Sequence, residues 1–347
     1  MQLMQSYTQM PSKISTKMTE KLTNICATSE QLEIRLPAGF AAMETQVAGH
    51  TFDTSSLGLL QDSGGCVLKP LGKPECGERE KNFYENLQEA EKSNDSNLLL
   101  QLSSFVPKFH KTVSLVVNNR QHTFLKMEDL TKGMRKPCIM DIKVGKRTWD
   151  PMASEQKRRV EEQKYVRCKQ VLGLCIPGFQ VYTRQDYKVL RFSKEYGKNL
   201  DSDGFRATMA LFINAENGEV CRPLVFEILK QLYRIREWFK VQTLYNFYAS
   251  SLLIVYDYEY LEKLLLQTDS HQSNGISQLT NGDLENNHSV HINAQNITEH
   301  KTSDAQWVKV KMIDFAHVFP TENHSLDTNY IFGLENLIMV FEELMNR

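Results

Sequence analysis

Pro137-Cys-Ile-Met-Asp141-Ile-Lys143-Val-Gly145 is an apolar run interrupted by one acid and one base two positions apart. In an extended chain, side chains at i and i+2 share a face, so Asp141 and Lys143 project together from one strand. A carboxylate beside an ammonium in a cleft suits phosphoryl transfer. The carboxylate orients an attacking hydroxyl or takes its proton, and the ammonium neutralises charge on the moving group. Gly145 lets the backbone pass close by. The D-x-K spacing is common, however, and alone it reads first as a surface ion pair worth at most about 1 kcal/mol.

Upstream of this strand the pattern is antiparallel. Leu57-Gly-Leu-Leu60 and Cys66-Val-Leu-Lys69 flank Asp62-Ser-Gly-Gly65, and Ser114–Val117 and Thr123–Met127 flank Asn118-Asn119-Arg120. Both read as hairpins. Between them, Glu78–Ala90 places Phe83, Leu87 and Ala90 on one face, which predicts a helix. Residues 45–130 are therefore expected to form a first lobe, an antiparallel sheet with one helix, closed by the connecting segment Leu125–Leu130. Residues 1–44 are polar and aperiodic and are expected to be disordered, with order beginning near Thr45. Lys13, Lys17 and Lys21 among Ser and Thr hint at a transit peptide, the weaker reading.

Downstream the composition turns helical. Ser154–Lys169 is rich in Glu, Gln, Lys and Arg, and Pro223–Lys240 carries Val225, Leu229, Leu232, Ile235 and Phe239 at helical steps. Leu252–Tyr256 reads as a buried strand, Val308–Ile313 as an alternating one, and Gly333–Met345 as a closing helix. Asp269–Gln306 is rich in Asn, Ser and His with no periodicity, so a disordered insertion is expected over about 268–306. Residues 131–347 thus read as a larger second lobe of sheet and helices, and the fold class as two-lobed α+β.

Bulk properties exclude several classes. With 347 residues, 41% hydrophobic, the chain can bury a large core, and 41 basic against 42 acidic residues leave a net charge of only −1. No nucleic-acid partner is indicated, and any anion site must be a local cluster. Seven scattered cysteines form no C-x-x-C pair, which suits reduced thiols and gives no zinc site. No run reaches the ~20 apolar residues of a membrane helix. H-E-x-x-H, G-x-S-x-G, G-x-G-x-x-G and Walker motifs are all missing from the sequence. Gly49, Gly64 and Gly65 are weak candidates for backbone contact with phosphate.

Three further constellations carry chemistry. Met312-Ile-Asp314-Phe315-Ala-His317 puts a carboxylate at a strand end, a place to hold Mg²⁺ against nucleotide phosphates or simply a turn-capping Asp. Lys69 on a strand with Glu80 on the next helix suits a phosphate-touching lysine held by a glutamate, or an ordinary strand lysine beside a solvated helix. Lys157-Arg-Arg159, Lys164, Arg167 and Lys169 form a basic stretch, with Lys157 and Lys164 seven apart on one helical face. Interleaved Glu155, Glu161 and Glu162 allow a plain solvated helix instead.

Taken together, these segments resemble the inositol phosphate kinase family. Pro137–Gly145 is similar to its P-x-x-x-D-x-K-x-G motif, Ser250-Ser-Leu-Leu-Ile-Val-Tyr-Asp257 to its second motif, and Met312-Ile-Asp-Phe315 to its third, in the family's order. The resemblance runs from His50 to the C-terminus apart from the insertion, and joint occurrence outweighs the plainer readings above. It implies a kinase-like fold with ATP between the lobes. Lys69 would contact ATP phosphates with Glu80 supporting it, Glu128 to Leu130 would be a hinge facing adenine, and Asp314 would bind Mg²⁺. Asp141 would engage the accepting hydroxyl and Lys143 the transferred phosphate, while Lys157, Lys164 and His317 would hold substrate phosphates from a segment over about 150–182. The implied activity is phosphorylation of inositol 1,4,5-trisphosphate at the 3- and 6-hydroxyls through tetrakis- to pentakisphosphate, by a monomer of nucleus and cytoplasm, with phosphoinositide lipid head groups as further substrates. A narrower trisphosphate 3-kinase and a non-catalytic scaffold are the alternatives. Arg159-Val-Glu-Glu162 departs from the family's glutamine-rich stretch, which bears on the contacts to inositol.

Overall fold

The computed structural model describes residues 36–49, 56–93, 97–183, 188–215, 219–275 and 307–346. Strands β1 (Phe40–Ala42), β2 (Leu60–Asp62), β3 (Cys66–Pro70), β4 (Phe109–Val117) and β5 (Arg120–Glu128) form an antiparallel sheet in the order β1-β2-β3-β5-β4. Both expected hairpins are present. Asn118 and Asn119 take φ of 51° and 60°, the left-handed pair that a two-residue type I′ turn requires. Order begins earlier than Thr45: β1 pairs with β2 because Leu36 and Phe40 cover the apolar cluster of Leu60, Leu68, Val117 and Phe124. Polar surroundings hid that short anchor.

Two helices accompany this sheet, where one was expected. Helix α1 (Pro74–Ser93) buries Glu80, Phe83, Tyr84, Leu87 and Ala90. Helix α2 (Asn97–Phe105) is half the length and buries Leu102 and Phe105.

The second sheet is built from β6 (Pro137–Val144), β7 (Leu174–Tyr182), β8 (Val189–Phe192), β10 (Ser251–Asp257) and β11 (Val308–Ile313) in the order β11-β10-β6-β7-β8, all antiparallel. β9 (Tyr245–Phe247) pairs with β12 (Val318–Pro320) as a separate ribbon. Around them lie α3 (Glu155–Gln163), α4 (Val166–Leu172), α5 (Lys194–Lys198), α6 (Ser202–Phe212), α7 (Arg222–Phe239), α8 (Tyr258–Gly275) and α9 (Thr328–Met345). Helix α7 packs on α9 through a 4.3 Å stack of Phe239 on Tyr330, and on α2 through Trp238 Nε1 donating to the Leu98 carbonyl (2.9 Å). Leu36–Arg347 forms one compact unit.

Two expectations need correcting. Ser154–Lys169 is not one helix: α3 ends at Gln163, Lys164 is extended, and Tyr165 turns with φ 54° before α4 begins. Helix α8 continues to Gly275, into the start of the expected insertion; residues 276–306 of that segment lie outside the described residues.

Gly145 also has a different use from the one its motif suggested. Its φ is +106°, and a Cβ there would fall 2.4 Å from Asn329 Nδ2, so the close approach is to α9. The contact is reciprocal. A Cβ on Gly333 of α9 would meet the Gly173 carbonyl at 2.5 Å and the Gly145 nitrogen at 2.9 Å. Since that nitrogen donates to the Gly173 carbonyl (2.8 Å), three glycines lock α9 against the ends of β6 and β7. Gly333→Ala is therefore expected to destabilise the fold by about 1–3 kcal/mol, as over-packing does; urea unfolding reads this directly, and an unchanged midpoint would contradict the lock.

Candidate active site

Glu80 is where the two sheets meet. Its carboxylate is 4% exposed, accepts from Lys69 Nζ on β3 at 2.7 Å, and accepts from the Phe315 backbone N–H, just past β11, at 3.1 Å. Phe315 stacks on Phe83 of α1 at 4.1 Å, fixing the end of β11 against the helix that carries Glu80. Lys69 then reaches Asp314 Oδ1 at 2.7 Å. Asp314 sits in the left-handed region, φ 66°, with its carbonyl held by Ser250 Oγ at 2.9 Å.

Asp141 and Lys143 lie beside this group on β6, as their spacing implied. Lys143 Nζ is 3.6 Å from Asp314 Oδ2 and donates to the Ala249 carbonyl at 2.9 Å. Asp141 is 5% exposed, and its Oδ1 has no hydrogen-bond partner among the described residues. Burial, opposed by Lys143 and assisted by Asp314, pushes its carboxyl up to about 6. Burial also disfavours the charge on Asp314, yet Lys69 and Lys143 hold that carboxyl well below the usual range. For Lys69, Asp314 and Glu80 overcome burial and keep the ammonium firmly charged.

Two cavities open from this cluster. The first, of about 570 Å³, has Val67 and Leu59 on one side and Ile139, Leu253 and Ile313 on the other, with Glu128, Asp129 and Leu130 at one edge and Lys69, Asp141 and Asp314 at another. It is a largely apolar slot that meets the charged cluster at Lys69, Asp141 and Asp314. Asp129, 1% exposed, braces the connecting segment through Gln61 Nε2 (2.7 Å) and Thr131 Oγ1 (2.6 Å). The Glu128 side chain turns away, accepting from the Lys108 N–H at 3.3 Å and pairing with Lys309 at 3.6 Å.

The second cavity, of about 550 Å³, begins at Lys69, Lys143 and Asp314 and is lined by Lys157, Lys164 and His317. Lys157 and Lys164 come together through the break after α3, not along one helical face. His317 Nδ1 donates to Asp150 Oδ2 at 2.5 Å, and burial lowers the imidazole pKa despite that carboxylate. All ten residues marked from the sequence thus lie on one or other cavity or brace them. The arginines of the basic stretch do not: Arg159 pairs with Glu155, Arg158 donates to the Ala153 carbonyl, and Arg167 to Asp201. Sequence reasoning placed Lys169 only in the basic stretch and missed that it is 1% exposed and donates to the Glu161 carbonyl at the end of α3. It also passed over Lys194 and Lys198, which sit in a helix of five residues, too short for periodicity to reveal.

A model of the inositol polyphosphate kinase family matches residues 124–342, a span holding β6, β10 and β11 with Asp141, Lys143 and Asp314. The chain belongs to the inositol polyphosphate kinase family. It is accordingly a kinase, a phosphotransferase. Human inositol polyphosphate multikinase is 28% identical across 90% of each chain. Human inositol hexakisphosphate kinase 2 is 30% identical across 65% of this chain and 53% of its own. Among solved structures, an inositol phosphate multikinase superposes with a TM-score of 0.53 at 26% identity, covering 76% of this chain and 98% of that one. The S. cerevisiae inositol phosphate multikinase solved with ADP and Mn²⁺ shares the fold at a TM-score of 0.54 and 23% identity, covering 80% and 98%.

The state of Asp141 has a consequence for stability. In the unfolded chain an aspartate titrates near about 3.9. With the folded value raised to about 6, ionising Asp141 removes stability progressively between those values, and the loss is complete above the upper one. Asp141→Asn is expected to raise the melting temperature of nucleotide-free protein by a few degrees at about pH 7.5 and to leave it near wild type at about pH 4. Equal shifts at both pH values would contradict a buried, disfavoured carboxylate.

Proposed function

We propose that this kinase transfers the γ-phosphoryl group of Mg·ATP to inositol 1,4,5-trisphosphate, at the 3- and 6-hydroxyls in turn, yielding tetrakis- and then pentakisphosphate. The observation that carries this reading is the seam between the cavities: Lys69 and Asp314 border both, Asp141 borders the apolar slot and Lys143 the lysine-lined hollow. A planar base in the first cavity directs its phosphates toward Asp314, and a polyphosphate in the second brings its hydroxyls toward the same place. The names of the multikinases described above support the choice of inositol phosphates.

The residues divide the work as follows. Lys69, fixed by Glu80, neutralises phosphate charge, while the connecting segment from Glu128 to Leu130 edges the slot for the base. Magnesium suits this site: a hard cation needs only one or two carboxylates, completing its shell with phosphate oxygens and water. Asp314 offers one carboxylate at the seam, and the partnerless Oδ1 of Asp141 a second acceptor nearby. When bound at Asp314, the ion would offset the negative charge of the nucleotide phosphates. Asp141, ionised above about pH 6, accepts the hydrogen bond of the attacking hydroxyl and orients it. Lys143 lies where charge on the transferring group grows. Lys157, Lys164 and His317 steady the other phosphates. The same headgroup chemistry extends the reading to phosphatidylinositol 4,5-bisphosphate.

Purified protein given Mg·ATP and inositol 1,4,5-trisphosphate should accumulate tetrakisphosphate and then pentakisphosphate on anion-exchange chromatography. Arrest at tetrakisphosphate would favour a 3-kinase of narrow specificity, and the return of unaltered trisphosphate would overturn the reading. In Lys143→Ala, kcat should fall by about 10²–10³, the usual loss when one preorganised charge donor is removed.

A further inference from the structure

The second cavity is lined by lysines beyond those that the proposed trisphosphate contacts employ. Seven lysines and three carboxylates line it. Glu80 and Asp314 are engaged with Lys69 and Lys143 at the reacting end, and Glu161 is taken by Lys164 at 2.7 Å. That leaves Lys157 on α3 and Lys194 on α5 facing one hollow with no carboxylate partner among the described residues. Lys198, one turn beyond Lys194, holds Glu195 at 2.9 Å in an exposed pair of the kind that contributes little and that a phosphate can displace.

The position of α5 is imposed by its backbone. A Cβ at Gly197 would fall 1.8 Å from the Ile176 carbonyl oxygen of β7 and 3.4 Å from the Tyr165 ring, so the helix lies in direct contact with the sheet and cannot slide inward or be spaced away. Lys194 and Lys198, four residues apart, emerge on one face of that turn. Tyr165, with φ of 54°, is also the residue at which the chain turns into α4 after α3 has ended. One ring therefore sets the spacing between the wall carrying Lys157 and Lys164 and the wall carrying Lys194 and Lys198.

We propose that Lys194 and Lys198 form a second anion-binding arm of this cavity, which selects inositols carrying more phosphates than the trisphosphate. The proposal rests on the inositol phosphate reading above and deepens it. Each phosphate monoester brings about −1.5 to −2 charges at neutral pH. Contacts with Lys157 and Lys164 on one wall leave the α5 lysines unmatched until a phosphate stands on the opposite side of the ring. A tetrakisphosphate supplies that phosphate, so the first product of the enzyme binds more tightly than its starting substrate and is retained for the next transfer.

The test is a binding measurement on the full chain, so it is independent of turnover. Isothermal titration with inositol 1,4,5-trisphosphate and inositol 1,3,4,5-tetrakisphosphate, at one fixed ionic strength, compares wild type with the double variant Lys194→Ala, Lys198→Ala. Wild type should bind the tetrakisphosphate about tenfold or more tightly than the trisphosphate, the size of one charge-assisted contact. In the double variant the preference should shrink to about twofold, and Lys194→Arg should keep most of it. Equal affinities in wild type, or a preference unchanged in the double variant, would overturn the arm. Turnover measured in parallel separates the two claims: binding preference with no phosphoryl transfer contradicts the proposed activity and leaves the arm standing.

Discussion

Glu80 is the constraint on which the site depends. A buried carboxylate must be compensated, and this one is compensated from two directions: the Lys69 ammonium on one sheet and the Phe315 backbone N–H at the end of the other. Satisfying that single group fixes the distance between β3 and the turn after β11. Lys69 is held so that its remaining reach ends on Asp314, and Asp314 is held by Ser250 so that it faces Lys143. Pairing of this kind is weak evidence for stability, since desolvation offsets much of the attraction. Its value here is positional: charges that cannot relax into water keep a fixed geometry where the two cavities meet.

The remaining architecture follows from serving that cluster on two sides. The apolar slot is closed by side chains from both sheets, so its width holds only while the sheets keep their spacing. The lysine-rich hollow is walled by short helices hung from β7, whose placement relies on glycine at 173 and 197 and on the left-handed turn at Tyr165. The near-zero net charge of the whole chain conceals this concentration entirely. Acidic residues elsewhere balance it, which limits nonspecific attraction to other polyanions.

Much of the cluster was legible because it obeys period-two spacing. Asp141 and Lys143 flank one apolar residue in a strand, and Asp314 follows an alternating strand, so their sharing of a sheet face and edge could be read directly. Lys69 and Glu80 were legible for a related reason, a strand followed by an amphipathic helix. What the linear pattern hid was everything that depends on a break in periodicity. Tyr165 has no turn chemistry to announce that α3 stops, so Lys157 and Lys164 seemed to share a helix face. Lys194 and Lys198 sit in five helical residues, less than two turns, where no hydrophobic stripe can form. Gly145 was marked for the right reason, close approach, but the neighbour is α9, nearly two hundred positions away in the chain.

The most direct measurement is the single-turnover rate of phosphoryl transfer by Asp314→Asn at saturating ATP, magnesium and inositol 1,4,5-trisphosphate, set against wild type. Among the described residues, Asp314 is the one carboxylate that borders both cavities, and it pairs with both Lys69 and Lys143. The expected result is a fall of about 10³ or more, with trisphosphate still bound, as removal of a charge acting at the reacting centre requires. A variant that keeps a rate within about twofold of wild type would contradict the claim that these two cavities meet at one catalytic seam.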